Sequence, residues 1–459
     1  MGRLFGTDGA RGVAITELTC ETAMQIGRAA AQVLTKHKNH EGKAKILIGK
    51  DTRISSDVLE AALIAGITSV GVDVQLLGVV PTPAVAYLVT SHNADAGVMI
   101  SASHNSVEYN GIKLFSGTGF KLPDSVEEEI EALILDNPEQ ILLKNGCEIG
   151  RVSLMAEAAD EYIEHVKSTV DEYADVLAFR EHGLTAAIDC ANGSASVTAE
   201  KLFTEIGVNC LMLSNTPDGC NINDNCGSTH LDNLQRFVTE NDCDLGIAFD
   251  GDADRCLAVD KGGNIVDGDK LIAIIANYMK KKGTLKNNTA VVTVMSNLGF
   301  HTYMEKTGIN TVCTTVGDRY VLEEMLKNGY NIGGEQSGHI IFLDYSTTGD
   351  GQLTAVQLLN LLVISGESLD TLVSDIPDYP QVLVNIVITE AERGKWNQNL
   401  AIMSAIKEAE AAMGKNGRIL VRESGTEPLV RVMVEGREAA DVDLWSGKIA
   451  SVIEEQLQG

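Results

Sequence analysis

The chain of 459 residues is predicted to contain three α/β domains with mixed, mostly parallel sheets and a smaller C-terminal α+β domain, arranged around a central cleft. Short apolar runs alternate with amphipathic helical patterns over most of the chain, which is typical of βαβ units. After Pro377 and Pro380, a run of alternating polarity at 382–388 replaces that pattern. The length exceeds what one hydrophobic core usually serves, so several domains are expected.

The first domain is expected to span residues 1–154. Apolar residues recur at helical spacing over 21–34, and Thr19 is available as the N-cap, so an amphipathic helix is predicted there. A strand, a helix and a second strand are predicted at 45–50, 58–70 and 72–77. This order predicts a parallel sheet with helices packed against it.

Three further domains are expected over 155–255, 256–371 and 372–459. A long acidic helix is predicted at 156–173, and a tight turn between strands at 260–264. Strands are predicted at 184–188, 245–249, 290–295, 311–314 and 382–388. The expected domain boundaries lie where one series of predicted strands and helices ends and the next begins.

The charge balance limits the classes of partner. With 64 acidic and 36 basic residues, the formal charge is −28, which disfavours binding to nucleic acid or to an anionic membrane surface. An anionic small substrate would need basic residues concentrated locally. The apolar stretch 76–89 is interrupted by Pro81 and Pro83, and no signal peptide or membrane span is predicted. Nine cysteines without a CxxC pair favour free thiols in a cytoplasmic protein.

Four polar segments follow strand candidates, and the open ends of parallel strands are where α/β proteins usually bind ligands. The first, at 97–115, reads GVMISASHNSVEYNGIKLF and contains Ser103, His104 and Lys113. The segment has neither the GxSxG elbow of an esterase nor the SxxK pair of a penicillin-binding enzyme. Taken alone, Ser103 is therefore either a reactive serine or a turn former.

The second segment is an acidic loop, LGIAFDGDADR, with Asp250, Asp252 and Asp254 at alternate positions. Such close carboxylates either form a solvated turn or bind a cation, and hard oxygen ligands on a short loop suit Mg²⁺. An EF-hand is excluded, because Arg255 and Lys261 stand where glycine and glutamate are needed. Phosphohydrolases of the haloacid dehalogenase type usually have threonine or valine at the position of Asp254.

The third segment, IGGEQSGHI at 332–340, presents Glu335, Ser337 and His339 on a glycine-rich loop. Carboxylate and hydroxyl groups so close together suit the hydroxyls of a sugar. A turn at a strand end, capped by the glutamate, is the alternative.

The fourth segment, VRESGTEPLVRVMV at 421–434, combines small residues with arginines. Backbone N–H groups, hydroxyls and guanidinium groups together can bind an anion. A helix-capping loop with solvated arginines is the alternative. The candidate anion-binding residues are Arg422, Ser424, Gly425, Thr426 and Arg431.

Together the four segments resemble the α-D-phosphohexomutase superfamily, whose members carry a phosphoserine loop, a DGDxDR metal loop, a GExSGH sugar loop and a basic SGT phosphate loop in that order. The resemblance extends over nearly the whole chain and implies that the cleft is the active site. Five stretches resemble the branch that acts on glucosamine phosphate: LFGTDGARG near the start, GKDTR at 49–53, NINDNCGSTH at 221–230, VGDRYV at 316–321 and GEQSGH with Gln336.

The resemblance implies a role for each loop. Ser103 would carry the phosphoryl group and pass it to a hexosamine monophosphate through a 1,6-bisphosphate intermediate, with Mg²⁺ held by Ser103 and the three aspartates. Arg11, Lys113 and His339 would lie near the reacting hydroxyl. His104, Arg255, Glu335 and Ser337 would bind the sugar phosphate, and the fourth loop would hold the phosphate that does not react. The resemblance is also compatible with a homodimer.

Three alternatives stay open. A mutase of the same fold could prefer glucose or mannose phosphate, a Mg²⁺-dependent sugar phosphatase could use the same acidic loop, and a noncatalytic protein could sense sugar phosphates. The chain also departs from the usual family pattern at two positions. Ser106 replaces a proline after SHN, which is expected to loosen the serine loop, and Glu423 precedes SGT where a neutral residue or proline is frequent. Neither change removes a reacting group.

Overall fold

A computed structural model of the protein describes residues 3–6, 8–36, 42–171, 176–389, 392–423 and 428–457. The chain divides into two compact units. The first contains Met1–Met295 and Ile309–Ser374, and the second contains Ser296–Gly308 and Asp375–Gly459. Three sheets lie in the first unit and a fourth lies in the second. The predicted fold class is confirmed in its α/β part with mixed sheets and in its smaller C-terminal α+β part.

The first sheet has six strands in the order β1-β5-β4-β2-β3-β6, and only β1/β5 and β5/β4 pair antiparallel. Its strands are β1 (Ala10–Val13), β2 (Lys45–Lys50), β3 (Asp73–Val79), β4 (Ala96–Ile100), β5 (Tyr109–Ser116) and β6 (Val152–Leu154). Its helices are α1 (Cys20–Leu34), α2 (Ile54–Ser69), α3 (Thr82–Ser91) and α4 (Asp124–Leu135). Thr19 caps α1 as predicted, because its side chain accepts a hydrogen bond from the backbone N–H of Thr22.

The second sheet has the order β11-β10-β9-β7-β8. Its strands are β7 (Thr185–Asp189), β8 (Asn209–Leu213), β9 (Leu245–Phe249), β10 (Cys256–Asp260) and β11 (Ile265–Val266). Its helices are α5 (Ala158–Lys167), α6 (Val176–His182), α7 (Ala199–Ile206) and α8 (Asp232–Glu240).

Two features of this region differ from the sequence-based expectation. The helix expected over 156–173 ends at Lys167, where the hydroxyls of Ser168 and Thr169 donate to carbonyls of the last helical turn. The sheet also continues past the expected limit at residue 255 to Val266, because β9 and β10 form an antiparallel hairpin. The predicted turn at 260–264 joins β10 to β11.

The third sheet has the order β13-β12-β14-β15. Its strands are β12 (Thr289–Thr293), β13 (Asn310–Thr314), β14 (Ile332–Gly334) and β15 (Ile340–Phe342). Four helices accompany it: α9 (Gly268–Lys282), α11 (Asp318–Asn328), α12 (Gly351–Ser365) and α13 (Leu369–Val373). The intervening α10 (Leu298–Thr307) belongs to the second compact unit, although it lies within the range expected for the third domain.

The three sheets share one arrangement. In each, three parallel strands are followed by an antiparallel neighbour, in the orders β3-β2-β4-β5, β8-β7-β9-β10 and β13-β12-β14-β15. The first three polar segments lie in the equivalent connections β4–β5, β9–β10 and β14–β15. A common topology therefore places all three loops at the carboxyl end of a parallel strand.

The second unit contains an antiparallel sheet in the order β16-β18-β17. Its strands are β16 (Gln381–Val387), β17 (Gly417–Glu423) and β18 (Leu429–Gly436), and its further helices are α14 (Leu400–Met413) and α15 (Ala439–Leu457). Apolar residues of the helices and the sheet form one core in this unit. Buried Glu435 joins α10 to this sheet, because its carboxylate accepts from the backbone N–H of Leu298 and pairs with Arg418.

Across the described ranges, none of the helices combines the length and the apolar character needed to cross a bilayer.

Helices α1 and α2 pack with their backbones in close contact at two glycines. A Cβ atom on Gly66 would lie 2.3 Å from the carbonyl oxygen of Met24, and one on Gly27 would lie 2.9 Å from that of Leu63. Since backbone atoms cannot move aside as a flexible side chain can, any larger residue here forces the helices apart.

Gly66→Ala is therefore expected to destabilise the first unit by ~1–3 kcal/mol through overpacking. Urea denaturation would measure this loss, and hydrogen exchange of peptides from α1 and α2 would locate it. Gly447→Ala in α15 is the matched control, since a Cβ there would meet no atom within 4 Å beyond its chain neighbours and its own helix backbone, and the substitution favours the helix. Equal stability of the two variants would contradict the close packing.

Candidate active site

Ser103 lies on the loop between β4 and β5 in a left-handed backbone conformation, with φ of 53°. This conformation is uncommon for a residue other than glycine, and it persists only where the surroundings enforce it. The side chain is buried, and its Oγ donates to Asp250 Oδ2 at 2.6 Å. His104 Nδ1 lies 3.3 Å from the same hydroxyl. The serine therefore faces the acidic loop of the second sheet.

Arg53 holds the serine loop from within the first domain. Its buried guanidinium donates to the carbonyl oxygens of Ser103, Asn105 and Ser106, while its Nε pairs with Asp51 at 2.8 Å. The planar fork of an arginine suits several acceptors at once. The loop that was expected to be loosened by Ser106 is thus tied at three carbonyl groups.

Asn223 holds the same loop from the second domain. Its side-chain amide donates to the carbonyl oxygens of Ser103 and Asn105, at 2.9 and 3.0 Å. The backbone of the acidic loop also approaches closely, since a Cβ on Gly251 would lie 2.6 Å from the Ser103 carbonyl oxygen. Groups from two domains therefore fix the position of the serine.

The acidic loop joins β9 to β10 and brings together Asp250, Asp252 and Asp254, all of them buried. One oxygen from each carboxylate lies within 4.8 Å of the other two. Oδ1 of Asp252 and Oδ1 of Asp254 are buried and have no hydrogen-bond partner. Buried carboxylate oxygens without a donor are costly unless a cation binds them, so these residues fit a metal site.

The charges around this cluster act on its members in different ways. Burial, together with the carboxylates of Asp254 and Asp252, raises the pKa of Asp250 well above its usual value. Burial also acts to raise the pKa of Asp254, but Lys113 and His339 reverse this and hold it well below its usual value. Arg255 therefore acts on both carboxylates, whereas Lys113 and His339 compensate the side of Asp254.

Lys113 is the buried cation on that side. Its Nζ lies 2.7 Å from Asp252 Oδ2, 3.3 Å from Asp254 Oδ2 and 3.2 Å from Asp8 Oδ2. Burial disfavours the charged amine, but these carboxylates outweigh it and raise the pKa of Lys113 well above its usual value. The side chain is therefore a fixed positive charge at the edge of the acidic loop.

Three further predicted residues lie around the serine and the acidic loop. The half-buried Arg11 pairs with Asp8, and Arg255 ends the acidic loop, where its backbone N–H donates to Asp250 Oδ1. Burial and the charges of Arg255 and Arg11 lower the pKa of His104 to about 4, so its imidazole is neutral at physiological pH.

The sugar loop connects β14 to β15 and carries Glu335, Ser337 and His339. His339 Nδ1 lies 3.7 Å from Asp254 Oδ2. Burial lowers the pKa of His339, but the carboxylates of Asp254 and Asp318 raise it above its usual value. The backbone N–H of Gly349 points at Nε2 from 3.1 Å and instead favours a neutral ring with its proton on Nδ1. Since Nε2 accepts this hydrogen bond, the ring proton lies on Nδ1 and faces Asp254.

In the second unit, Arg422 and Arg431 are directly opposed residues of β17 and β18, so their side chains share one face. Burial and the charge of Arg431 lower the pKa of Arg422. Two neighbouring guanidinium groups favour an anion on that face. Ser424, Gly425 and Thr426 lie outside the described residues. Glu423, the unusual residue before them, accepts a hydrogen bond from the backbone N–H of Gly394.

The structure therefore brings together Ser103, the three aspartates, Lys113 and His339, while Glu335 and Ser337 lie on the same loop as His339. It adds six side chains that were given no role from sequence: Asp8, Arg53, Thr82, Lys121, Asn223 and Asp318. Four of them lie in stretches that carried the family resemblance. The motifs that carried this resemblance were the available signal, but spacing along the chain cannot show which loop a buried side chain supports.

The comparisons with known proteins agree with this architecture. Residues 2–141, 160–263 and 267–379 match the alpha/beta/alpha domains I, II and III of the phosphoglucomutase/phosphomannomutase family, and residues 383–452 match its C-terminal domain. The phosphoglucosamine mutase of Acetivibrio thermocellus is 53% identical over 457 residues, which cover 100% of both chains. That of Carboxydothermus hydrogenoformans is 54% identical over 454 residues, covering 99% of this chain and 100% of the relative.

Two solved structures share the fold. A phosphoglucomutase/phosphomannomutase family protein from Burkholderia thailandensis superposes with a TM-score of 0.79 at 22% identity, covering 98% of this chain and 97% of that one. The Aspergillus fumigatus N-acetylphosphoglucosamine mutase, in complex with GlcNAc-6P and magnesium, gives 0.66 at 18% identity, covering 99% and 96%. With all four domain types matched in order and full-length relatives above half identity, the chain belongs to the phosphoglucomutase/phosphomannomutase family.

Proposed function

We propose that the protein interconverts glucosamine 6-phosphate and glucosamine 1-phosphate, with Ser103 as the phosphate carrier and a 1,6-bisphosphate as the intermediate. The observation that carries this proposal is the contact between Ser103 Oγ and the carboxylate cluster, 2.6 Å from Asp250 Oδ2. Phosphoryl transfer needs mainly positioning and neutralisation of spread negative charge. The serine loop is held in place by hydrogen bonds, and Ser103 lies beside three carboxylates that fit a metal ion and near the buried cation Lys113. This arrangement provides both the positioning and the neutralisation of charge.

The chain's own residues would position the reacting groups. Arg53 and Asn223 hold the serine loop through its carbonyl oxygens, so that Oγ stays directed at the acidic loop. Lys113 and Arg11 would stabilise charge on the transferring phosphoryl group and on the sugar hydroxyl that accepts it. His339 would lie against the same hydroxyl, with its Nδ1 proton facing Asp254.

Asp250, Asp252 and Asp254, with an oxygen of phosphorylated Ser103, would hold Mg²⁺. When bound, the ion would withdraw charge from the phosphoserine oxygens. Thr82 and Lys113 both contact Oδ2 of Asp252, at 2.6 and 2.7 Å, so the other carboxylate oxygen, Oδ1, is available to bind a cation. The two orphaned Oδ1 atoms of Asp252 and Asp254 support this assignment.

Binding of the substrate would be shared among the loops. His104 and Arg255 would contact the phosphate near the serine, while Glu335 and Ser337 would bind the sugar hydroxyls. Arg422, Ser424, Gly425, Thr426 and Arg431 would hold the phosphate that does not react. Because the bisphosphate must present either end to Ser103, this distal group has to accept the sugar in two orientations.

The choice of glucosamine rests on the full-length relatives named phosphoglucosamine mutase. The Aspergillus fumigatus N-acetylphosphoglucosamine mutase, which shares the fold, was solved in complex with GlcNAc-6P and magnesium. This complex supports a small sugar phosphate as the class of ligand. A cationic amino group at C2 can donate to Glu335 or another acceptor. We further propose a cytoplasmic enzyme, in line with its free cysteines, that forms a homodimer without nucleic acid or membrane partners.

Ser103→Ala is expected to reduce kcat below about one ten-thousandth of the wild-type value, because removing a covalent carrier removes the route itself. The assay follows glucosamine 1-phosphate by NMR, and mass spectrometry of the purified wild-type chain should find phosphate on Ser103. Ser106→Ala, an exposed serine of the same loop, is the control and should retain activity. Near wild-type turnover by folded Ser103→Ala protein would refute the assignment.

Removal of metal is expected to stop turnover, and added Mg²⁺ should restore it. Asp252→Asn should weaken Mg²⁺ binding by at least about tenfold in titration calorimetry, since it removes one ligand charge. Glu240→Gln, at the exposed end of α8, keeps the acidic loop intact and serves as the control. Activity that survives exhaustive chelation would contradict the metal role.

Glucosamine 6-phosphate is expected to be preferred over glucose and mannose 6-phosphates by roughly 10- to 100-fold in kcat/KM. A site built to pair the amino group is left with unpaired polarity when that group is absent, while the shared phosphate lets the other sugars react slowly. The three substrates are compared with 1,6-bisphosphate present. Equal or higher values for another sugar would assign the chain to that specificity, and release of inorganic phosphate without isomer would indicate a phosphatase.

A further inference from the structure

Six ionisable side chains form a closed ring that joins three domains. We call Asp254, Lys113, Asp8, Lys121, Asp318 and His339 the charge ring. In that order, the nitrogen and oxygen atoms of successive members lie 3.3, 3.2, 2.5, 2.5 and 3.5 Å apart, and 3.7 Å separates His339 from Asp254. Lys113 and Lys121 alternate with the carboxylates of the ring, and the imidazole of His339 closes the ring between Asp318 and Asp254.

One half of the charge ring belongs to the proposed site, and the other half does not. Asp254 belongs to the acidic loop, and Lys113 and His339 contact it. Asp8, Lys121 and Asp318 complete the ring and do not contact the three aspartates in the described residues. Lys121 and Asp318 are largely buried, with side chains 14% and 16% exposed. Burying charges is expensive, and an ion pair of this kind adds little net stability compared with apolar packing. The cost of burying Lys121 and Asp318 is therefore better explained by a role in positioning Asp254, Lys113 and His339 than by a contribution to stability.

The start of α11 connects this second half to two other parts of the molecule. The backbone N–H of Gly317 donates to Glu335 Oε1 at 3.1 Å, which ties the helix to the sugar loop. Arg319 contacts the carbonyl oxygen of Leu122 and the carboxylate of Asp124 in the first domain. Asp318 lies between these two attachments, so the helix end contacts the sugar loop, the charge ring and the first domain within three residues.

We propose that Asp318, acting with Lys121 and Asp8, is a positioning residue that fixes His339 and Lys113 on either side of Asp254. Asp318 faces His339 Nε2, and Lys121 bridges Asp318 to Asp8, which contacts Lys113. Loss of the Asp318 charge leaves Lys121 paired with Asp8 alone, so Asp8 binds Lys113 less well. The side chain at position 318, which lies against the imidazole of His339, is then held less firmly. The catalytic consequence of this proposal rests on the proposed mutase function.

The test compares Asp318→Asn, Lys121→Met and the double variant. Each single change is expected to lower kcat by ~10- to 100-fold through displacement of reacting groups, with KM within about two-fold of wild type. The double variant should lose no more than the worse single variant, because the two residues act as one unit. Lys121→Arg, which keeps the charge, should recover most of the activity.

Lys286→Met is the matched control. Lys286 pairs with Asp344 in the same compact unit, but that pair is exposed and lies outside the charge ring. This variant should retain the wild-type kcat. Losses that multiply in the double variant, or activity restored merely by assaying at a lower temperature, would overturn the proposal. So would a raised KM with unchanged kcat, which would make Asp318 a direct substrate contact.

A second measurement does not depend on the mutase reaction. Hydrogen exchange of the peptide 332–342 should accelerate in Asp318→Asn and in Lys121→Met, but not in Lys286→Met, if the charge ring holds the sugar loop. Unchanged exchange in the first two variants would contradict positioning. A wild-type protein that converts none of the hexose phosphates would refute the proposed function, while this comparison would still decide the role of the ring.

Discussion

The buried carboxylates of Asp250, Asp252 and Asp254 are the constraint on which the rest of the site depends. Three acidic groups on alternate positions of one short loop cannot remain charged in a protein interior without positive charge or hydrogen-bond donors. Lys113, Thr82 and the Ser103 hydroxyl supply part of this, and two oxygens are left for a cation. The location of the serine follows from the same need, since its hydroxyl is one of the donors.

A shared sheet topology lets one loop from each domain satisfy that constraint. In all three sheets the loop leaves a parallel strand and returns in an antiparallel neighbour, so its polar residues stand at the carboxyl end of the strand. The chain carries a formal charge of −28, yet buried or half-buried lysine and arginine side chains collect at these loops. An anionic ligand is therefore attracted by the local charge of the site and not by the protein as a whole.

Much of the fold and the site was predictable from the sequence, because strands and helices follow from local periodicity and the loops from recognisable motifs. The capped helix at Cys20–Leu34 and the strand Leu245–Phe249 are examples. The expected limit at residue 255 missed the continuing sheet because the hairpin of β9 and β10 depends on pairing that periodicity does not show. The expected helix over 156–173 was too long because side-chain hydroxyls end it locally.

By itself, the sequence determined the fold class, the family and the chemical types of the reacting groups, since these reside in short motifs and in their order. Only the tertiary structure decided which side chains support them. Arg53 and Asn223 hold the serine loop from 50 and 120 residues away, and Asp318 meets Lys121 across 197 residues. Such contacts depend on how sheets, helices and domains pack together, and the partner of a buried charge is decided only when the chain has folded around it.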